Sequence, residues 1–126
     1  MTLKTPLSRA RGLGSAKEGV GHFILQRATA IANVPLTVWF VASLIYFCGA
    51  DYEAAHAYLA NPVVTVLAAL FLVSVLFHMR LGLQVVIEDY IAKEGTRIAL
   101  LLLMNFAVAV LAVACLYSVL KIGLGP

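Results

Sequence analysis

Asn61 to Tyr90 reads NPVVTVLAALFLVSVLFHMRLGLQVVIEDY, and the reading of this stretch decides the fold. Asn61-Pro62 has the form of a helix start, with proline in the first turn where its missing N–H costs nothing. From Ala54 to Met79 there is no Asp, Glu, Lys or Arg. About 20 such residues, rising 1.5 Å each, cross the hydrocarbon core of a bilayer. A soluble helix would show a polar face, and this one shows none. Yet the segment holds His78 and Arg80 well inside it, and it closes on Glu88, Asp89 and Tyr90.

Two further stretches, Ala28–Ala50 and Ile98–Leu120, are equally free of charge. The chain has 126 residues, of which 63% are hydrophobic and 12% charged; a soluble domain carries about twice that charged fraction. These features predict an all-α integral membrane protein with three transmembrane helices. Lys4, Arg9, Arg11, Lys17 and Arg27 precede or open the first crossing, and Lys93 and Arg97 follow the second. The Asp51–Asn61 connection has no Lys or Arg, and the tail has only Lys121. Basic residues stay on the cytoplasmic side, so the expected topology is up-down-up with a cytoplasmic N-terminus. The net charge of +3 then reflects topology. No interleaving of basic and aromatic residues points to nucleic acid.

Residues 1–20 are expected to form a cytoplasmic arm, and residues 21–126 a three-helix membrane domain. The arm is basic, Ser-containing and nearly free of acids, a composition it shares with mitochondrial transit peptides; the expectation is a retained interfacial segment. Helix boundaries are expected near Gly21–Phe23 to Phe47, Pro62 to Tyr90, and Thr96 to Leu120, with Gly95 in the turn. Pro35 is expected to kink the first helix. A short helix is expected around YEAAHAYLA. Cys48 and Cys115 fall within crossings near one face of the membrane, where buried, inert thiols are the more frequent outcome and a disulfide is the alternative.

Ionisable residues in a membrane are costly, so each is a functional candidate. His78 lies ten residues, or roughly 15 Å, from Glu88. A neutral histidine bonded to a neighbouring helix and a haem or metal ligand are both open. Ser74, His78, Gly82 and Asp89 share one helical stripe. Gly82, one turn on, lets a flat group or another helix approach, and neutral imidazole is a common haem ligand. If haem is bound with two axial ligands, the second must come from another polypeptide: His22 precedes the first helix and His56 lies in the outer loop. Arg27 is a snorkelling anchor or the partner of an anion such as a haem propionate. Arg80 lies roughly 160° from His78 around the helix; it could snorkel, meet lipid phosphate or pair with a partner chain. Asp89 and Tyr90 fit an interfacial belt, and equally a phenol donor to a quinone carbonyl with a carboxylate beside it.

GHFILQRATAIANVP, followed by a second helix patterned H-x3-G-x6-D-Y, resembles the small hydrophobic membrane-anchor subunit of succinate dehydrogenase, with R-A-T-A matching that family's entry to its first helix. The resemblance covers roughly Gly21 to Leu120. It implies a non-catalytic component of an oxidoreductase, respiratory complex II, which passes electrons from succinate to ubiquinone in the tricarboxylic acid cycle. It implies His78 as an axial ligand of haem b, binding the haem iron and shared with a second membrane anchor. Arg27 would lie near a haem propionate, and Tyr90, with Asp89 beside it, would bind ubiquinone. The implied partners are that second membrane anchor, the iron–sulfur protein and the flavoprotein of the complex, with FAD and iron–sulfur clusters only in the last two. The implied location is a bacterial inner membrane rather than a mitochondrial one. Arg80 lies outside the family pattern. Other readings are an anchor of a fumarate reductase, a small transport or channel component relaying through His78 and Arg80, and a purely structural assembly factor.

Overall fold

In a computed structural model, the described residues are 5–7 and 17–125. They are helical, with three long helices and one short one: α1 Lys17–Tyr46, α2 Tyr52–Leu59, α3 Pro62–Tyr90 and α4 Glu94–Leu124. Helices α1, α3 and α4 are each long and apolar enough to cross a membrane. The bounds of α3 agree with expectation. Helix α1 begins earlier than expected, so His22 lies within it and not before it. Helix α4 is longer at both ends, and Gly95 sits in its first turn. Most of the expected N-terminal arm lies outside the described residues.

Local chemistry explains the turns. After α1 the chain passes through Gly49 at φ +84°, a left-handed conformation that a Cβ disfavours. Asp51 Oδ1 accepts from the Ala54 N–H at 2.8 Å to cap α2, and Asn61 Oδ1 accepts from the Val63 N–H at 2.9 Å to cap α3. Pro35 is carried inside α1, which runs on without a break.

Helix α3 is the hub. It packs against α1 on one side and α4 on the other, while no Cα of α1 comes within 8 Å of one in α4. Thr29 meets His78 while Phe40 stacks on Phe71 with ring centroids 4.8 Å apart. Contacts thus descend α3 as they climb α1, and the two helices run in opposite directions. On the other side, Arg80 meets Asn105 and Gly123 approaches Thr65 so closely that a Cβ there would overlap the threonine side chain. The small helix α2 closes one end, its Tyr58 hydroxyl 2.7 Å from Ser43 Oγ on α1 and its ring 4.4 Å from that of Phe47.

A row of three helices encloses little. Among the described residues only Val64, Thr65, Leu76, Leu81 and Met104 are buried, all on α3 or α4. Large side chains such as Ile31, Val38, Leu103, Phe106 and Val110 stand 66–73% exposed. Most of this apolar surface has no partner among the described residues.

Candidate functional site: two ends of one helix

The first cluster lies across the α1–α3 seam. His22, Gln26, Thr29 and Asn33 recur at three- and four-residue intervals on α1, so they share one face. All four are half-buried. The Thr29 hydroxyl lies 2.8 Å from the Leu25 carbonyl and 3.1 Å from the Gln26 carbonyl one turn back, and 3.0 Å from His78 Nδ1. Ser74, one turn before His78, donates to the Thr29 carbonyl at 3.4 Å. A hydroxyl has one hydrogen and two lone pairs. With that hydrogen on the Leu25 carbonyl, the oxygen accepts from Nδ1–H, and in a neutral ring Nε2 then keeps its lone pair. Nε2 has no hydrogen bond among the described residues.

The imidazole lines a cleft of about 250 Å³ with Phe23, Gln26, Arg27 and Ala30. The Arg27 guanidinium lies over the Phe23 ring at 5.2 Å, so a cation and an imidazole with a free nitrogen share one opening. A Cβ added to Gly82 would meet nothing within 4 Å. The absence of a side chain there therefore serves no helix of this chain and leaves space open to a group from outside. The bonded-histidine reading is thus realised at Nδ1, and in the tautomer with hydrogen on Nδ1 the Nε2 lone pair is left for ligation. His22 Nε2 and Asn33 Oδ1 are buried without a partner among the described residues. His22 is seven residues, or ~10 Å, from Thr29 along the helix, and His56 is on α2. Neither reaches the level of His78.

The second cluster closes α3. Asp89 is exposed and Tyr90 is 82% exposed. The structure brings these two together with each other and with the end of the helix, but not with His78, about three turns away. Gln84 donates to Glu88 at 2.9 Å on the same helix.

Two participants carry no conspicuous sequence signal. Thr29, inside RATAIA, orients the histidine; its only mark is a hydroxyl in an otherwise apolar helix. Asn105 is the one amide in the Ile98–Leu120 run, and its Oδ1 accepts from the Nε–H of Arg80 at 2.5 Å. Arg80 therefore has a partner within the chain, in addition to the lipid, solvent and partner-chain options expected for it. The cysteines are thiols, as expected, but neither is fully buried. Both are free; Cys48 is exposed in the turn after α1, and Cys115 is half-buried on α4. No group of three or more metal-type ligands occurs among the described residues.

The sequence profile described as "Succinate dehydrogenase/Fumarate reductase transmembrane subunit" matches residues 1–115. The chain belongs to this family. It is 32% identical over 121 residues to the succinate dehydrogenase hydrophobic membrane anchor subunit of Paracoccus denitrificans, covering 96% of this chain and 93% of the relative. The protein of the same name from Rickettsia bellii is 32% identical, with 79% of each chain covered. The succinate dehydrogenase membrane anchor subunit of Reclinomonas americana is 27% identical over 71% of this chain and 77% of its own. Across the family match lie α1, α2, α3 and most of α4, including both clusters.

Proposed function

We propose that this chain is a membrane anchor of succinate dehydrogenase in a bacterial inner membrane. In this reading it holds the soluble flavoprotein and iron–sulfur subunits at the membrane and forms part of a haem b site and part of a ubiquinone site. It is not catalytic by itself; succinate oxidation and the FAD and iron–sulfur chemistry belong to its partners. The chain crosses up-down-up with its N-terminus and the α3–α4 turn on the cytoplasmic side, where seven of its basic residues collect.

The observation that carries the reading is the Nδ1 contact between His78 and Thr29, made in the cleft that Arg27 also lines. A histidine that ligates a metal usually has its other nitrogen bonded, which fixes the tautomer and the ring. The residues present fit one half of a haem site: His78 Nε2 as an axial donor, Arg27 for a propionate, and the bare flank of Gly82 beside a flat ring. Haem b, when bound, supplies a one-electron store between the soluble clusters and the quinone. A second ligand to the iron would have to come from the other membrane anchor, since neither His22 nor His56 reaches that level. At the end of α3, the Tyr90 hydroxyl donates to a ubiquinone carbonyl and Asp89 holds or passes a proton beside it. Their exposure suits a site completed by other chains.

The test is purification of the tagged chain from native membranes. Flavoprotein, iron–sulfur protein and a second membrane anchor are expected to come with it, together with a b-type absorption spectrum. His78→Ala is expected to abolish or shift that spectrum, and Tyr90→Phe to lower succinate–quinone reductase activity while leaving the spectrum unchanged. Unaltered quinone kinetics in Tyr90→Phe would sink the tyrosine's role. A His78→Ala complex with the wild-type spectrum would sink the ligand assignment. The family description also covers fumarate reductases; comparing succinate oxidation with quinol-driven fumarate reduction in the same sample distinguishes the two.

A further inference from the structure

Helix α3 carries a second polar stripe that the haem and quinone readings do not use. Arg80, Gln84 and Glu88 follow one another at four-residue intervals, so they line one side of the helix. Arg80 lies roughly 160° around the helix from His78. Its Nε–H is held by Asn105 Oδ1, and the Asn105 amide is itself fixed because its Nδ2 donates to the Leu101 carbonyl at 2.8 Å. The guanidinium sits 6.0 Å from the centre of the Phe77 ring. Its two terminal nitrogens make no hydrogen bond among the described residues, and no carboxylate lies within 4 Å of it. Asn105 is neutral. A permanent positive charge deep in an apolar helix is therefore oriented, yet left without a counter-charge among the described residues.

We propose that a transmembrane helix of a different polypeptide, bearing an Asp or Glu at the depth of Arg80, packs along this face. That face runs from Leu70 and Val73, 54% and 51% exposed, past Phe77 to Arg80 and Gln84. Other sources of the anion fail on geometry. Arg80 is eight residues, or ~12 Å, from Glu88 and ~15 Å from Tyr90 along the axis. A lipid phosphate would sit at the level of those end residues, beside the carboxylate of Glu88. Helical side chains also lean toward the N-terminus of their helix, which carries this guanidinium away from the Glu88 end. Pro62, at the other end, is ~27 Å distant. A second copy of this chain fails on charge, because its apolar runs contain no acid and a two-fold pairing of the stripes would oppose one Arg80 to another. A carboxylate matches the two free nitrogens of the fork in pairwise geometry. That the helix belongs to a companion chain of the same complex rests on the function proposed above; the need for its carboxylate does not.

The experiment uses the complex isolated from native membranes. With Val73→p-benzoylphenylalanine, irradiation is expected to join this chain to a different membrane polypeptide; adducts only with lipid, or only with a second copy of this chain, overturn the proposal. Arg80→Gln is expected to lower the yield of intact assembly about tenfold, with Arg80→Lys within about twofold of wild type, as loss of a charge-assisted contact requires. The level of the chain in the membrane serves as the control. Equal yields for Arg80→Gln and wild type also overturn it. Arg80→Glu is expected to be rescued by replacing the acid in the cross-linked helix with Arg. If the captured polypeptide is unrelated to the dehydrogenase, the function proposed above fails while this interface stands. If succinate–quinone activity is intact and only lipid is captured, the interface fails while the function stands.

Discussion

The Thr29 hydroxyl has one hydrogen to give, and the Leu25 carbonyl 2.8 Å away takes it in the arrangement that leaves His78 Nδ1 as donor. In that arrangement the threonine sets which imidazole nitrogen is available. Thr29→Val keeps the shape and removes the acceptor, leaving a half-buried N–H unpaired at about 1–3 kcal/mol. On the haem site proposed here, it is expected to weaken haem retention ten- to a hundredfold, measured by haem content and the b-type spectrum, with Thr29→Ser retaining most of it. Unchanged haem content in Thr29→Val would show that the hydroxyl has no orienting role. Gly49 is a separate residue-scale case. At φ +84° with open space around it, Gly49→Ala is expected to destabilise the chain by about 1 kcal/mol through backbone strain alone, seen as a lower unfolding temperature in detergent.

Between elements, the α3–α4 seam has two fixed points. One is the Arg80–Asn105 bond and the other is the close approach of Gly123 to Thr65. Thr65 is buried, and its hydroxyl donates to the Leu59 or Asn61 carbonyl, at 2.8 and 3.0 Å, which ties the end of α2 to the start of α3. A side chain at position 123 must push into this knot. Gly123→Val is expected to destabilise the seam by about 1–3 kcal/mol, with Gly123→Ala affected in the same direction but less. Thermal unfolding of the purified complex measures both, and a Gly123→Val complex as stable as wild type would mean the helices separate there at no cost. Neither fixed point was legible in the sequence. Asn105 and Gly123 are each ordinary in an apolar helix, and only packing reveals what they face.

For the whole molecule, α3 is the long helix that packs on both α1 and α4, with the short α2 touching both at one end, and the resulting row leaves most apolar side chains facing outward. A chain built this way is expected to be stable only against lipid and other chains. Expressed without its partners, it is expected to reach the membrane yet to yield little folded material after detergent extraction, and co-expression of the complex is expected to restore the yield. The proposed orientation is open to a direct check at Cys48, which is free and exposed in the turn after α1. A membrane-impermeant maleimide added from the periplasmic side is expected to label Cys48 but not Cys115, which lies half-buried within α4. Labelling only from the cytoplasmic side would reverse the topology.

Three uncharged runs of more than 20 residues determined by themselves that the chain is helical and of membrane-spanning type, because backbone groups in hydrocarbon must bond within their own segment. The bounds of α3 were equally legible, since Asn61-Pro62 and the Glu88–Tyr90 polar end are local signals. His78 stood out because an ionisable group is conspicuous in such a run. Its partner did not, because a hydrogen bond between Thr29 and His78 spans 49 positions and depends on the register of two helices whose surfaces are nearly uniform. The same holds for Arg80: sequence could say that a charge was present, but only the packing of α3 on α4 decided that Asn105 holds it and that its outer nitrogens meet no anion among the described residues.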